Sequence, residues 1–100
     1  MSTNERVQLS RRAIRDLRRV DAPERRRVRA ALQVLAAGGN NLDVKPLAGV
    51  APWQRLRVGD WRVLYRPLSD AETGSGDPGI LVARVVNRRD LLRAVRSLQT

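Results

Sequence analysis

The sequence predicts a small α+β fold, in which an N-terminal strand and an antiparallel helical hairpin pack on an antiparallel β-sheet, with a short helix at the C-terminus. Three features carry that prediction. Ala13, Ile14, Leu17 and Val20, then Val28, Ala31, Leu32 and Leu35, form two apolar stripes at helical spacing, parted only by a short turn around Pro23. Residues 53–58 and 61–66 alternate on either side of Gly59-Asp60, which reads as a hairpin with a two-residue turn. Residues 80–86 are almost continuously apolar, as a central strand covered on both faces requires.

Each element has a local reason. Val7-Gln8-Leu9 alternates and reads as a short edge strand. Ser10 is placed to cap the first helix. Asp21 stands where a cap for the second helix belongs, Pro23 suits its first turn, and Glu24 has capping-box spacing. Gly38-Gly39 stops that helix. Residues 40–52, punctuated by Pro46, Gly49 and Pro52, read as a loop. Gly59 at the first turn position suits a type II′ hairpin. Residues 69–79, with Gly74, Gly76, Pro78 and Gly79, read as a flexible loop. Leu91, Leu92, Val95 and Leu98 mark a short amphipathic helix, with Asn87 near its start.

One hundred residues are enough for one domain over positions 1–100, with a core small enough to gain from a partner. Twenty Lys and Arg face ten Asp and Glu, a formal charge of +10. Such a balance points to phosphate, an anionic membrane or an acidic protein. Lys45 is the single lysine. Two explanations of the arginine excess stand side by side: recognition of phosphate by a planar fork, and the codon bias of a GC-rich genome. Cysteine and histidine are absent, which excludes disulfides, thiolate metal sites, the usual zinc sites and histidine-based acid–base catalysis. No cofactor is expected. No run approaches the roughly 20 apolar residues of a membrane span, and residues 1–6 lack the apolar core of a signal peptide. The expected location is the cytoplasm.

The helices carry Arg11, Arg12, Arg15, Arg18, Arg19, Arg25, Arg26, Arg27 and Arg29 on their other faces. That array is either a solvated surface or an electrostatic attachment to folded RNA, and the second reading implies strong salt dependence. The hairpin is more specific. With Gly59-Asp60 as the turn, Val58 opposes Trp61, Arg57 opposes Arg62 and Arg55 opposes Leu64. Gln54, Leu56, Val58, Trp61, Val63 and Tyr65 then face the helices. Trp53, Arg55, Arg57, Arg62, Leu64 and Arg66 share the opposite face. Four arginines meet there without enough hairpin carboxylates to neutralise them, so either an anion relieves their repulsion or the long side chains splay into water.

The stretch from Lys45-Pro46-Leu47-Ala48-Gly49 through Arg55-Leu56-Arg57-Val58-Gly59-Asp60-Trp61-Arg62-Val63-Leu64-Tyr65 resembles the RelE/ParE toxin superfamily. Val85-Val86-Asn87-Arg88-Arg89-Asp90-Leu91-Leu92 is similar to the family's C-terminal signature, and Ser10, Ala13, Asp16 and Leu17 fit its first helix. The resemblance implies the order β-α-α-β-β-β, with the last three strands an antiparallel meander. It also implies an antitoxin whose acidic or amphipathic segment wraps the toxin, giving a hetero-oligomer. For RelE-like members it implies cleavage of messenger RNA in the ribosomal A site, the 2′-hydroxyl attacking the adjacent phosphate without a metal. Arg62 is then the residue that stabilises the phosphate, unless it and Arg57 merely pair with Asp60 or Asp90. Arg55 and Arg57 hold the backbone or favour loss of the 2′-hydroxyl proton, and Arg88 or Arg89 matches the second catalytic arginine. Lys45, Arg66 and Trp53 border the same RNA path, Trp53 either stacking on a base or covering the core edge. Leu91, Leu92 and Val95 are the candidate antitoxin dock, or else core packing.

The chain departs from the RelE-like pattern at one point. Leu91-Leu92 stands where many such enzymes carry a tyrosine, and the only tyrosine, Tyr65, falls on the helix-facing side. The alternatives are a ParE-like inhibitor of DNA gyrase and a catalytically inactive RNA- or antitoxin-binding module.

Overall fold

The structure is a computed structural model, and it describes residues 6–74 and 78–98. Strand β1 (Val7–Leu9) leads into helices α1 (Arg11–Arg18) and α2 (Ala22–Ala36). Strands β2 (Asp43–Pro46), β3 (Gln54–Val58) and β4 (Trp61–Pro67) follow, then a short helix α3 (Asp70–Thr73), strand β5 (Ile80–Asn87) and helix α4 (Leu91–Ser97). The five strands form one open sheet in the order β1-β5-β4-β3-β2. Among the described residues no helix is long and apolar enough to cross a membrane.

The α+β class and the helical hairpin follow the sequence reading, and three details correct it. First, the sheet is mixed, because β1 runs parallel to β5, with Val7 opposite Ile80 and Leu9 opposite Val82. Alternation marks a strand but carries no direction, and here direction comes from the start of α1. Ser10 N–H donates to Val82 O at 2.9 Å and Ser10 Oγ donates to Ala83 O at 2.8 Å, so the chain turns off β5 there. The same hydroxyl caps α1 by accepting from Ala13 N–H at 3.0 Å.

Second, the segment read as a loop contains β2, antiparallel to β3, with Asp43 opposite Arg57 and Lys45 opposite Arg55. Asp-Val-Lys-Pro has only one aliphatic residue and a proline, which hides it as a strand. On a sheet edge, where one row of backbone groups has no partner strand, a proline is tolerated. Third, the expected flexible loop holds α3, stopped by Gly74 at φ +72°; its residues 75–77 lie outside the described part. Ser69 and Glu72 form a reciprocal capping box. By contrast Asp21 makes no side-chain cap at α2. Glu24, placed by spacing in a capping box, instead accepts a hydrogen bond from Trp61 Nε1 and ties the hairpin tip to α2.

The hairpin register agrees with the parity argument: Val58 faces Trp61, Arg57 faces Arg62 and Arg55 faces Leu64. Leu56, Val63 and Tyr65 are buried under the helices with Ala13, Leu17, Val28, Leu32, Val82 and Val85. Tyr65 donates from its hydroxyl to Gln54 Oε1 at 3.3 Å. The pairing of β4 with β5 slips by one residue, from Leu64 opposite Arg84 to Tyr65 opposite Val82, leaving Ala83 extra. That bulge keeps both Val82 and Val85 on the helix side, so a continuous apolar run reads correctly although simple alternation fails. Val86 faces the other way, where α4 covers it together with Leu64, Leu91, Val95 and Leu98.

Past Leu9 no strand among the described residues pairs with the outer side of β5. Asp16 of α1 covers that edge. Its Oδ2 accepts from Val85 N–H and from Arg84 Nε, each at 2.9 Å, and its side chain is only 13% exposed. Asp16→Ala leaves a strand N–H and a guanidinium without this acceptor, and should cost about 2–3 kcal/mol in urea unfolding. A loss below about 0.5 kcal/mol, the level of an ordinary surface change, would show that packing alone holds the edge.

Candidate functional site

The sheet face opposite the helical hairpin divides into two zones. Over β4 and β5, α4 seals Leu64 and Val86 into a small second core. Toward β2, the same face is charged. Asp43 and Lys45 of β2, Arg55 and Arg57 of β3, and Arg62 and Arg66 of β4 share it by pairing and alternation. The cover from α4 explains how a leucine with no solvent exposure sits among arginines.

Arg62 lies at the β4 border of this zone, directly opposite Arg57. Its Nη1 donates to two backbone carbonyls, Gly59 O at 2.9 Å and Trp61 O at 3.1 Å. Among the described residues no carboxylate forms an ion pair with it. Partial burial, then Arg57, Arg55 and Arg88, depress its pKa from the usual guanidinium value, against a smaller opposing pull from Asp43. A bound anion would reverse that pressure. Since Arg88 acts on Arg62 and pairs only loosely with Asp60, at 3.9 Å with both side chains well exposed, its charge remains available. Arg89 instead donates to Asn87 Oδ1 at 3.1 Å.

The other cations are more committed than the hairpin alone implies. Arg55 Nη1 lies 3.3 Å from Asp43 Oδ1, and Arg57 Nη1 lies 3.8 Å from Asp43 Oδ2. Arg66 meets Glu72 in two parallel contacts of 2.8 Å and stands over the Trp53 ring at 5.8 Å from its centre. Lys45 is exposed on the edge strand. So Arg62, Arg57, Arg55 and Arg88 come together, Arg66 and Trp53 form their own pair further along, and Arg89 is held by Asn87. Asp43 and Glu72 were missed as members of the site. The Ser69-x-x-Glu72 spacing of a capping box was a usable signal for the second, whereas Asp43 was masked by the reading of β2 as loop.

Tyr65 is buried on the helix side, and burial pushes its phenol pKa up, so it stays protonated and remote from the arginines. Leu91 and Val95 pack into the second core, while Leu92 is 76% exposed. Beside α4 an open cleft of about 470 Å³ runs to α1 and the end of β5, lined by Arg12, Arg19, Arg84 and Arg93 against Asp16 and Asp90.

Over residues 7–92 the chain matches the family described as the ParE toxin of the type II toxin–antitoxin system, parDE. None of the curated proteins matches it in sequence. Its fold is similar to that in the crystal structure of the RelB–RelE antitoxin–toxin complex from Methanococcus jannaschii. There the TM-score is 0.66 and the identity 21%, over 87% of this chain and 96% of the other. The archaeal RelE–RelB complex from Pyrococcus horikoshii OT3 is similar too, with a TM-score of 0.62 and 23% identity over 83% and 93%.

The Arg66–Glu72 pair can be tested by titration. Contacts with Arg66 first, then the Ser69 backbone N–H, lower the Glu72 carboxyl from 4.5 to about 2. A depressed carboxylate contributes to stability above its unfolded value, and that contribution is lost as pH falls from about 4.5 toward about 2. NMR of the Glu72 carboxyl carbon should show a midpoint near 2 in the wild type and a clear rise toward 4.5 in Arg66→Ala. Equal midpoints in the two proteins would leave Arg66 free to meet a ligand.

Proposed function

From the premise that this chain belongs to the RelE/ParE family of toxins of type II toxin–antitoxin systems, we propose that it is an endoribonuclease that cuts messenger RNA in the ribosomal A site. The observation that carries this reading is Arg62: a guanidinium held by two carbonyls, pressed by neighbouring arginines and paired with no carboxylate among the described residues. Such a group is preorganised to receive charge that develops on a phosphate oxygen.

In the proposed reaction the 2′-oxygen of the RNA forms a bond to the adjacent phosphorus as its proton leaves. The bond from phosphorus to the 5′-oxygen breaks, and that oxygen takes up a proton. The products are a 2′,3′-cyclic phosphate and a 5′-hydroxyl. Arg62 binds a non-bridging oxygen, and its charge counts most when the phosphorus is five-coordinate. Arg57 and Arg55 hold the backbone and favour the 2′-oxyanion, and Arg88 assists from the end of β5. Lys45, on the exposed edge, and Trp53 with Arg66 extend the path of the strand. An antitoxin partner is part of this reading, as RelB is in both similar structures. Exposed Leu92, with Leu91 and Val95 on the same helix and the arginine-rich cleft beside it, supports docking of an amphipathic acidic segment there.

A second reading is inhibition of DNA gyrase. Two observations favour it: the family matched is the ParE toxin, and Leu91-Leu92 replaces the tyrosine of many RelE-like enzymes while Tyr65 is buried. Primer extension on programmed ribosomes with an empty A site separates the two. The wild type should cut the exposed codon, and Arg62→Ala should be slower by about 10²–10³-fold. No cut by folded protein, together with loss of supercoiling by purified gyrase, would replace the first reading by the second.

A further inference from the structure

Asp43 occupies a position that a simple structural ion pair does not explain. It projects from the edge strand onto the charged face, directly opposite Arg57. It offers one oxygen to each of two guanidiniums, Oδ1 to Arg55 at 3.3 Å and Oδ2 to Arg57 at 3.8 Å. Two non-bridging oxygens of a phosphate would address the same pair of forks in the same way. We propose that the space between Arg55 and Arg57 is a second phosphate seat, filled in the free protein by the Asp43 carboxylate and taken over by an RNA phosphodiester when the strand binds. This rests on the reading of the arginine face as an RNA site, and adds to it a specificity-determining residue.

The seat is rigid where it should be rigid and loose where it should be loose. The Arg55 side chain is only 13% exposed, so its guanidinium is fixed before any ligand arrives. Asp43 is 46% exposed and Arg57 57% exposed, and both can turn toward water at little cost. Val44, next to Asp43, packs against the main core and anchors the strand while Asp43 moves. Arg62, on the strand next to β3, forms the first seat. Asp43 also acts on Arg62 itself, relieving part of the pressure from its arginine neighbours.

The chemical consequence is discrimination. Exposed arginines without a carboxylate bind any polyanion, and affinity then follows charge alone. With Asp43 in place, a phosphate that approaches the second seat must displace a tethered anion or meet its repulsion. A strand already held at Arg62 supplies its next phosphate at high local concentration and succeeds. A stray phosphate does not.

Asp43→Asn keeps the shape of the side chain and removes its charge. Two probes test the seat: anisotropy of a short single-stranded oligoribonucleotide, and the Nε–H NMR signals of Arg55 and Arg57 during titration with inorganic pyrophosphate. A melt beside the wild type establishes that the variant is folded. Asp43→Asn should bind both probes about five- to tenfold more tightly, the effect of removing one like charge about 4 Å from a ligand when water screens the pair. Pyrophosphate should shift Arg55 and Arg57 in the variant at lower concentration than in the wild type. Should neither protein bind the oligoribonucleotide while pyrophosphate still prefers the variant, the seat stands and the RNA reading falls. A folded variant that binds pyrophosphate no better than the wild type, or less well, overturns the seat and leaves Asp43 a structural partner of Arg55.

Discussion

The turn at Gly59-Asp60 governs what each side chain of the sheet can do. Gly59 has φ +58°, a conformation that a side chain at this position would resist. A two-residue connection admits one register, and a slip of one residue would exchange the faces of both strands. With Arg57 opposite Arg62, three core residues, Leu56, Val63 and Tyr65, go under the helices. The same register compels Arg55, Arg57 and Arg62 onto the far side. The charged face is therefore a consequence of burying the apolar one, and a register that dispersed the arginines would have to bury them.

Like charges brought together by backbone geometry need relief, and the fold supplies it unequally. The Asp43 carboxylate serves Arg55 and Arg57, Glu72 serves Arg66, and Asp16 serves Arg84 at the sheet edge. Among the described residues Arg62 receives only carbonyl oxygens, which orient a guanidinium without cancelling its charge. This inequality, more than the net charge of +10, distinguishes a site from a basic surface. Helix α4 sharpens it by covering the apolar half of the face and confining the exposed cations to the β2 side.

The edges of the sheet are managed in different ways. On one side β2 is four residues long and ends in Pro46, which limits its use as a template for a further strand. On the other, β1 pairs with only the first part of β5, and Ser10 and Asp16 from the start and middle of α1 take over backbone groups of the remainder. One helix thus closes the core from above and the sheet edge from the side. Its cap and its single acid are spent on β5, and its arginines are left on the outside.

Short-range rules were sufficient for much of this. Helical spacing identified α1 and α2, the Gly59-Asp60 turn identified the hairpin and its faces, and the apolar run identified β5. Within the site, the convergence of Arg55, Arg57 and Arg62 followed from parity alone, because alternation and a two-residue turn are local constraints. Tertiary structure decided what depends on segments far apart in the chain. The direction of β1, the strand hidden in Asp43–Pro46, the bulge at Ala83 and the cover by α4 have no local signature strong enough to read. Nor has the choice of carboxylate for Arg55 and Arg84, since Asp43 reaches Arg55 across 12 positions and Asp16 reaches Arg84 across 68. Local sequence determines which face a side chain occupies, whereas packing between distant elements decides which charges there remain unmatched.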